Sequence, residues 1–352
     1  MRASIAPNGG PIDCSVLLVT KPADVRYLTG FSGSNGSVLI GPSPSDDVFI
    51  TDARYQARLD ELDIANVELN RSLEAVLEGA SFGSIGVDVT TTSLAEASRY
   101  ERAGDGRPLV RTSGAVSSLR ARKDAAEIQR LRIACEITTL TLKAVVGEGV
   151  RPGCTERELA WSIERAFLER GASGVAFPTI VASGPNGASP HHETSTRGLC
   201  RGELVTMDCG AVFDGYHADL TRTIVVGDPD SLPSELAEMH AVVQAANAAG
   251  RARAITGEPV AGIDRAAREV IVDAGFGDAF VHPTGHGIGL EIHEDPLVSG
   301  RSTGSLSPGT TFTVEPGIYV LGVGGVRIED SLVAHEDSVE VMTDLDRGLS
   351  LA

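Results

Sequence analysis

Short apolar runs separated by turn-forming residues occupy the first third of the chain. Four runs have the length and the Val, Ile and Leu content of buried strands: residues 15–19, 37–40, 48–51 and 84–88. The segment 41–47, rich in Pro, Ser and Asp, is typical of a turn, and residues 53–62 favour a helix. This alternation predicts a small α/β domain over residues 1–118.

A change to helical periodicity marks a second domain, predicted over residues 119–352. Apolar or small residues between 123 and 146 recur at the spacing of one face of a long helix: Ile128, Leu131, Cys135, Thr138, Leu142 and Val145. Thr155-Glu-Arg-Glu158 has the capping-box pattern that begins a helix. Gly171 stands where the C-terminal cap of that helix belongs.

The order of elements in this second domain occurs twice. After the two helices, strands are predicted at 176–182, 204–213 and 216–226. Two more helices, at 233–255 and 262–274, precede strands at 311–320 and 326–335. Each half is thus a long helix, a short helix and strands ending in a hairpin, although the residues of the halves barely match. The expected fold class is α/β, of the α+β kind.

The first predicted hairpin brings two carboxylates to one face. Asp214-Gly215 is a strong signal for a two-residue turn, and closure there places Asp208 opposite Thr221. Because side chains alternate along a strand, Asp208 and Asp219 then share a face as diagonal neighbours, about 7–8 Å apart. Cys209 points to the other face, where it is expected to be a core thiol.

The second predicted hairpin carries Glu315 and Glu329. A two-residue loop at Val323-Gly324 would put these side chains on opposite faces of the hairpin. A loop with an odd number of residues, or a bulge, puts them on one face together with Arg327, and the glycine-rich run 322–325 allows either. We predict the odd register.

Between the hairpin sequences lies a histidine- and glycine-rich stretch, residues 282–295. It contains His282, His286 and His293 among three glycines and three acids. Four hairpin carboxylates and an imidazole suit divalent ions such as Mn²⁺, Co²⁺ or Zn²⁺. The alternative is that the acids are solvated or paired with arginines such as Arg222 and Arg327.

Net charge and cysteine content limit the classes of partner and the cellular compartment that we expect. There are 30 Lys and Arg against 48 Asp and Glu, a formal net charge of −18, which argues against nucleic acid or an anionic membrane as the main partner. The N-terminus lacks the apolar centre of a signal peptide, so a cytoplasmic location is expected. Five cysteines without a CxxC pair indicate reduced thiols.

Five motifs in order match one known family. They are Met207-Asp-Cys-Gly210, Asp219-Leu-Thr-Arg-Thr223, His282-Pro-Thr-Gly-His286 continuing to His293-Glu294, Glu315-Pro-Gly317 and Arg327-Ile-Glu-Asp330. Together the motifs resemble the Xaa-Pro peptidases, prolidase and aminopeptidase P, among the "pita-bread" metallopeptidases. Residues 27–36 and 51–55 look like the creatinase-type N-terminal domain of that family.

The resemblance implies a dinuclear metal site. One ion would be held by Asp208 and Asp219, and the other by Asp219, His286, Glu315 and Glu329, with Asp219 and Glu329 bridging. Two divalent ions per subunit are expected, Mn²⁺ first, with Co²⁺ or Zn²⁺ as alternatives.

The resemblance also implies roles on the substrate side. His191 would contact the substrate near the scissile bond, and His293 would stabilise the reacting carbonyl. As a ligand that can also accept a proton, Glu315 is our candidate for carrying the proton to the leaving nitrogen. For His282 a substrate contact and a hydrogen-bonded structural role remain open. His192 matches no family role and is expected to be structural or solvent-facing.

The implied activity is hydrolysis of the Xaa-Pro bond, with the dipeptidase slightly favoured over aminopeptidase P. The substrate would be a proline-containing dipeptide or oligopeptide, and the family suggests a homodimer. Two other classes remain as alternatives: a non-catalytic pita-bread binding module and a creatinase-like amidinohydrolase. The complete ligand set argues against both.

Overall fold

The computed structural model describes residues 14–350, apart from residues 63, 65, 80 and 81 and the side chain of residue 148. The first ten residues, on which the expectation of no signal peptide rests, lie outside this part. The chain divides into two compact units, Met1–Arg120 and Ala121–Ala352. The described helices include none that is long and apolar enough to cross a membrane.

The first unit is a mixed six-stranded sheet with helices. Its strands, in the spatial order β4-β3-β2-β1-β5-β6, are β1 Val16–Val19, β2 Ser37–Ile40, β3 Val48–Thr51, β4 Val67–Leu69, β5 Ile85–Asp88 and β6 Leu109–Thr112. Its helices are α1 Pro22–Thr29, α2 Gln56–Leu62, α3 Leu73–Gly79, α4 Leu94–Ala103 and α5 Ser117–Arg120. The four predicted strands are confirmed.

Burial on both faces explains the continuous apolar run of β1. Leu17 and Val19 belong to one apolar cluster, and Val16 and Leu18 to another. The predicted helix over 53–62 starts with a 3₁₀ turn at Ala53–Tyr55, and α2 follows it.

The second unit contains four long helices and thirteen short strands among its described residues. The helices are α6 Ala125–Gly149, α7 Glu156–Glu169, α8 Ser234–Arg253 and α9 Ala261–Asp273. The strands of the first half are β7 Gly174–Val175, β8 Ile180–Ser183, β9 Leu204–Cys209, β10 Ala211–Phe213, β11 Tyr216–His217 and β12 Leu220–Val225. Those of the second half are β13 Gly285–Gly287, β14 Glu294–Val298, β15 Thr311–Val314, β16 Gly317–Val320, β17 Gly324–Arg327, β18 Asp330–Ala334 and β19 Val339–Val341.

The repeated order of two helices and a hairpin is therefore confirmed. Helix α7 begins as predicted, since the Thr155 hydroxyl accepts from the Glu158 N–H at 3.2 Å while the Glu158 carboxylate accepts from the Thr155 N–H at 2.8 Å. Gly171 follows the helix with a φ of 89°.

Each half packs its helices against one face of its own strands. In the first half Ile163 and Phe167 of α7 share a core with Met207 and Cys209 of β9, as expected for the Cys209 thiol. In the second half Met239 and Val243 of α8 pack with Ile318, Val326 and Ile328. Burial of each such side chain is worth about 1.5–3 kcal/mol. The carboxylates alternate with these core residues and so face away from the helices.

The strands predicted as continuous over 204–213, 216–226, 311–320 and 326–335 are each broken in two, so that expectation was wrong. The breaks fall at Gly210, at Ala218-Asp219, at Glu315-Pro316 and at Ile328-Glu329. The strand in the region 176–182 is also shorter than predicted: β8 covers Ile180–Ser183.

Three features account for these breaks: a close approach of main chains, a proline, and a hydrogen bond between the two halves. A Cβ on residue 210 would collide with the carbonyl oxygen of Ala218, so Gly210 alone fits where β9 gives way to β10. Pro316 has no N–H to donate to a strand ladder. The N–H of Glu329 donates across to the carbonyl of Thr221 at 3.1 Å, which joins the hairpins of the two halves.

Candidate metal centre

The register of the first hairpin is the predicted one. Phe213 pairs with Tyr216 across the turn, and Asp208 lies opposite Thr221. The buried Asp208 accepts a hydrogen bond on Oδ2 from Arg327 Nη2 at 2.6 Å. Its Oδ1 is buried and has no hydrogen-bond partner among the described residues. That oxygen is a free acceptor aimed into the protein, as a ligand to a cation would be.

The second hairpin has the predicted odd register, with a three-residue loop between β16 and β17. Val314 pairs with Asp330 and Gly317 with Arg327, so Glu315 and Glu329 lie opposite each other at the break. Glu329 Oε2 accepts from the Thr221 hydroxyl at 2.6 Å, and its buried Oε1 has no partner in the described part of the chain.

His286 reaches the carboxylates from β13. Its Nδ1–H donates to the Gly287 carbonyl at 3.1 Å, so Nε2 faces the carboxylates: protonated it pairs with Glu315, and deprotonated it can bind a metal ion. Nε2 lies 3.3 Å from Glu315 Oε1 and 3.5 Å from Asp219 Oδ2. The Thr313 hydroxyl accepts from the His286 N–H at 3.1 Å and donates to Glu315 at 3.1 Å, so it fixes the two residues together.

The five predicted ligands therefore occupy one region of the second unit. A possible ligand atom from each of Asp219, His286 and Glu329 lies within 4.8 Å of the others. Glu315 contacts His286 directly, and the charge of Asp208 acts on Asp219. The donor set is four carboxylates and one imidazole, which suits hard or borderline divalent ions.

The pKa shifts of the buried carboxylates indicate that a bound cation would stabilise this region. Burial, and then repulsion from Glu329, Asp208 and Glu315, raises the pKa of Asp219 well above its usual range. Burial, with Glu315 and Asp208, does the same for the pKa of Glu329. For Glu315 burial acts in the raising direction, but the hydrogen bond and charge of His286 prevail and lower its pKa to about 2. Two buried acids that resist ionisation are stabilised as anions when a metal ion sits between them.

Among the described residues, ion pairing with arginine accounts for one of the four carboxylates. Arg327 pairs with Asp208, whereas the buried Arg222 donates to Asp330 Oδ1 at 2.8 Å and to the Glu329 main-chain carbonyl. Arg222 thus supports the strand beneath Glu329 without neutralising its side chain. Among the described residues no arginine forms an ion pair with Asp219, Glu315 or Glu329, and the one cationic group beside Asp219 and Glu315 is the His286 imidazole when it is protonated.

Three more predicted residues, His191, His282 and His293, border this region. The His293 ring lies edge-on to the His286 ring, with 4.4 Å between centroids. Partial burial, and then the neighbouring His286 and His191, lowers the pKa of His293, so its imidazole is neutral at pH 7. His191 is exposed to solvent, and its charge also acts on His282.

His282 belongs to a chain of hydrogen bonds that ends at Asp208. Its Nδ1–H donates to the Pro283 carbonyl at 2.8 Å, so Nε2 accepts from the Tyr319 hydroxyl at 2.9 Å. The same hydroxyl accepts from Arg327 Nη1 at 2.8 Å. Burial lowers the pKa of His282, in keeping with this neutral tautomer. Sequence reasoning missed Tyr319, which stands in an ordinary strand pattern.

We expect Tyr319→Phe to lower the free energy of unfolding by about 1–3 kcal/mol, because His282 Nε2 and an Arg327 N–H lose their shared partner in a buried place. Urea unfolding followed by circular dichroism measures the change. Tyr55→Phe is the control, since its hydroxyl bonds to Ser34 at an exposed position. Equal losses in the two variants would contradict the importance of this chain of bonds.

The other histidines have hydrogen-bonded structural positions. His192 Nε2 lies 2.9 Å from Glu156, His240 Nε2 3.0 Å from the Thr223 carbonyl, and His217 Nδ1 3.2 Å from the Gly289 carbonyl. The structural interpretation of His192 is therefore confirmed. Cys135, Cys154, Cys200 and Cys209 form no disulfide within the described part of the chain.

Comparison with known proteins identifies two family models in the chain. Metallopeptidase family M24 matches residues 129–336, and the creatinase/prolidase N-terminal domain matches residues 12–122. The first match contains all five candidate ligands.

Individual relatives extend over nearly the whole chain. An Xaa-Pro dipeptidase of Pyrococcus furiosus is 33% identical over 333 residues, 95% of this chain and 94% of the relative. The structure of an Xaa-Pro dipeptidase from Bacillus anthracis has a TM-score of 0.90 and 34% identity, and covers 96% of this chain and 95% of its own. That of an X-Pro aminopeptidase from Thermotoga maritima has a TM-score of 0.86 and 33% identity, with 96% and 97% covered.

Proposed function

The chain belongs to metallopeptidase family M24, and from this membership we propose that it is a metal-dependent dipeptidase that hydrolyses Xaa-Pro bonds. The observation that carries the proposal is the convergence of acids from both hairpins on His286, with Asp219, His286 and Glu329 atoms within 4.8 Å of one another. The names of the Pyrococcus and Bacillus relatives supply the substrate class.

The proposed cofactor is a pair of divalent ions, Mn²⁺ first. Asp208 and Asp219 would hold one ion, and Asp219, His286, Glu315 and Glu329 the other. Two observations support the pair. Within the described residues, four carboxylates are balanced by one guanidinium, that of Arg327, and one imidazole, that of His286, so negative charge is in excess. Asp208 and Glu329 each keep one buried oxygen free of hydrogen bonds within the described residues.

The side chains around the ions would divide the work of hydrolysis. Bound divalent ions polarise a peptide carbonyl and supply a water nucleophile at neutral pH. The neutral His293 would donate an N–H to the carbonyl oxygen, where negative charge develops as the C–O bond to water forms. Glu315, which lies 3.3 Å from His286 Nε2, would accept a proton and deliver it to the proline nitrogen as the C–N bond breaks.

His191 would contact the substrate beside the scissile bond. For His282 both predicted roles, a substrate contact and a structural role, remain proposals, and the hydrogen bonds to both of its ring nitrogens favour the structural one. The preference for proline follows from its tertiary amide, which offers no N–H to ordinary peptidases.

Three further expectations stay proposals: a homodimer, a cytoplasmic location and a domain boundary after residue 118. The dimer rests on the family resemblance, and light scattering of the purified chain tests it. The net charge of −18 supports the absence of nucleic acid as a partner.

The function is tested by comparing three substrates after treatment with EDTA and after addition of Mn²⁺. We expect Mn²⁺ to restore hydrolysis of Ala-Pro, with kcat/KM at least about tenfold above that for Ala-Pro-Ala, a difference of about 1.4 kcal/mol. Faster cleavage of the tripeptide would assign the chain to aminopeptidase P. Hydrolysis of creatine, or of none of these substrates, would favour the amidinohydrolase or the binding module.

A further inference from the structure

One fully buried carboxylate, Glu156 in the first turn of α7, has no place among the proposed ligands. Its Oε1 accepts from the Ser183 N–H at 2.8 Å, the Ser183 hydroxyl at 2.7 Å and Asn186 Nδ2 at 2.9 Å. Its Oε2 accepts from His192 Nε2 at 2.9 Å, the Ser195 N–H at 3.0 Å and the Ser195 hydroxyl at 2.6 Å. One side chain thus collects six hydrogen bonds from a single loop.

The donors lie at both ends of the segment that carries His191. Ser183 ends β8, and Ser195 follows His191 by four residues. We call residues 183–195 the histidine loop. Glu156 bonds to both ends of the histidine loop and to His192, the residue next to His191. A shift of the Glu156 carboxylate would therefore also shift His191.

The histidine loop is also fixed on the side of the metal ligands. The Pro190 carbonyl accepts from Arg327 Nη1 at 3.3 Å, and the same guanidinium binds Asp208. The main chains at Gly187 and Gly325 approach so closely that a Cβ on residue 325 would collide with the Gly187 carbonyl. His191 is therefore presented from a loop clamped between α7 and β17.

Only an ionised carboxylate satisfies all six donors. Burial acts to raise the pKa of Glu156, but the hydrogen bonds from Ser195, Asn186, His192 and Ser183 outweigh it and lower the pKa to about 2. A glutamine at this position would place an NH₂ group, which is itself a donor, against the N–H and O–H donors of the loop. Capping of α7 does not need Glu156, because Thr155 and Glu158 form the capping box.

We propose that Glu156 is a positioning residue, which holds the histidine loop so that His191 meets the substrate. This inference rests on the proposed function, since the substrate contact of His191 is part of it. The described hydrogen bonds of the Glu156 carboxylate go to Ser183, Asn186, His192 and Ser195, and none of these is a proposed metal ligand.

The test compares Glu156→Gln with the matched control Glu158→Gln in the same helical turn. For Glu156→Gln we expect kcat/KM for Ala-Pro to fall by about 10–100-fold, as for residues that orient ligands and catalytic groups from outside. Manganese content should stay unchanged, and hydrogen exchange should accelerate in peptides from 183–195. Glu158→Gln should change kcat/KM by less than about threefold, since in the described part of the chain its carboxylate accepts its hydrogen bonds from Thr155.

A double-mutant cycle with His191→Ala separates positioning from general destabilisation. If Glu156 acts through His191, Glu156→Gln should cost less than about threefold in the His191→Ala background. Independent, additive losses, or normal exchange in the loop, would overturn the proposal.

Two milder variants cover the case in which Glu156→Gln does not fold. Ser195→Ala and Asn186→Ala each remove one side-chain donor and leave the carboxylate in place; we expect each to lower kcat/KM through His191, with the same non-additivity. A parent chain without Xaa-Pro hydrolysis would overturn the proposed function itself. An active parent whose cycle is additive would overturn the role of Glu156 alone.

Discussion

Asp219→Asn should remove metal binding and lower kcat/KM for Ala-Pro on the order of 1,000-fold or more, equivalent to about 4 kcal/mol of transition-state stabilisation. Asp219 is proposed to bridge the two ions, and its Oδ2 lies 3.5 Å from His286 Nε2. A neutral amide keeps the size of the side chain but is a poor metal ligand. Metal content per chain, measured by mass spectrometry after dialysis against Mn²⁺, should fall toward zero.

The same substitution should stabilise the protein in EDTA. Burial and three neighbouring carboxylates raise the pKa of Asp219 in the folded state. When an acid has a raised pKa in the folded state, the protein loses stability as the pH rises past the pKa of that acid in the unfolded chain, about 3.9. At pH 7 the parent bears this cost and Asp219→Asn does not, so urea unfolding should give Asp219→Asn the higher free energy of unfolding.

Asp214→Asn is the matched control, because it makes the same change in the exposed turn of the same hairpin. Asp214 pairs with Arg130 at an exposed position and has a φ of 44°, which Asn tolerates. Loss of this ion pair should lower the free energy of unfolding by no more than about 1 kcal/mol and leave the metal content unchanged. A fully loaded, active Asp219→Asn protein would contradict the proposed bridge.

His293→Ala should keep the metal and lower kcat by about 10²–10³-fold, the loss typical of one donor to a developing oxyanion. The ring stands edge-on to His286 and forms no hydrogen bond or ion pair with a ligand carboxylate in the described part of the chain. Because a carbonyl donor acts mainly in the transition state, KM should change little. Steady-state kinetics and metal content on one preparation measure both effects.

The control for His293→Ala is His335→Ala, whose ring bonds to Glu340 away from the ligands. It should retain near-parent kcat. If His293→Ala instead loses metal, then His293 is a ligand or supports His286, and its role at the carbonyl is wrong.

Local signals in the sequence were sufficient for the geometry within each hairpin. Asp214-Gly215 allows one turn and one register, so the pairing of Asp208 with Thr221 followed from two residues. The glycines of 322–325 allowed either loop length, and the predicted odd register, which places Glu315 and Glu329 on one face, is the observed one.

Contacts between the two halves could not be predicted in the same way. The bond from the Glu329 N–H to the Thr221 carbonyl joins strands that are far apart in the chain, and neither periodicity nor turn chemistry encodes it. For the same reason the strand breaks at the acids were missed. Glu156 resembles any acid in a first helical turn, where the helix dipole favours negative charge, so its six donors became visible only in three dimensions.

The proposed metal centre is tested most directly by a crystal structure of the Mn²⁺-loaded chain with anomalous scattering recorded at the manganese edge. We predict two anomalous peaks about 3.5–4 Å apart, both enclosed by Asp208, Asp219, His286, Glu315 and Glu329. Peaks elsewhere, or no peak among these five side chains at saturating Mn²⁺, would contradict the account.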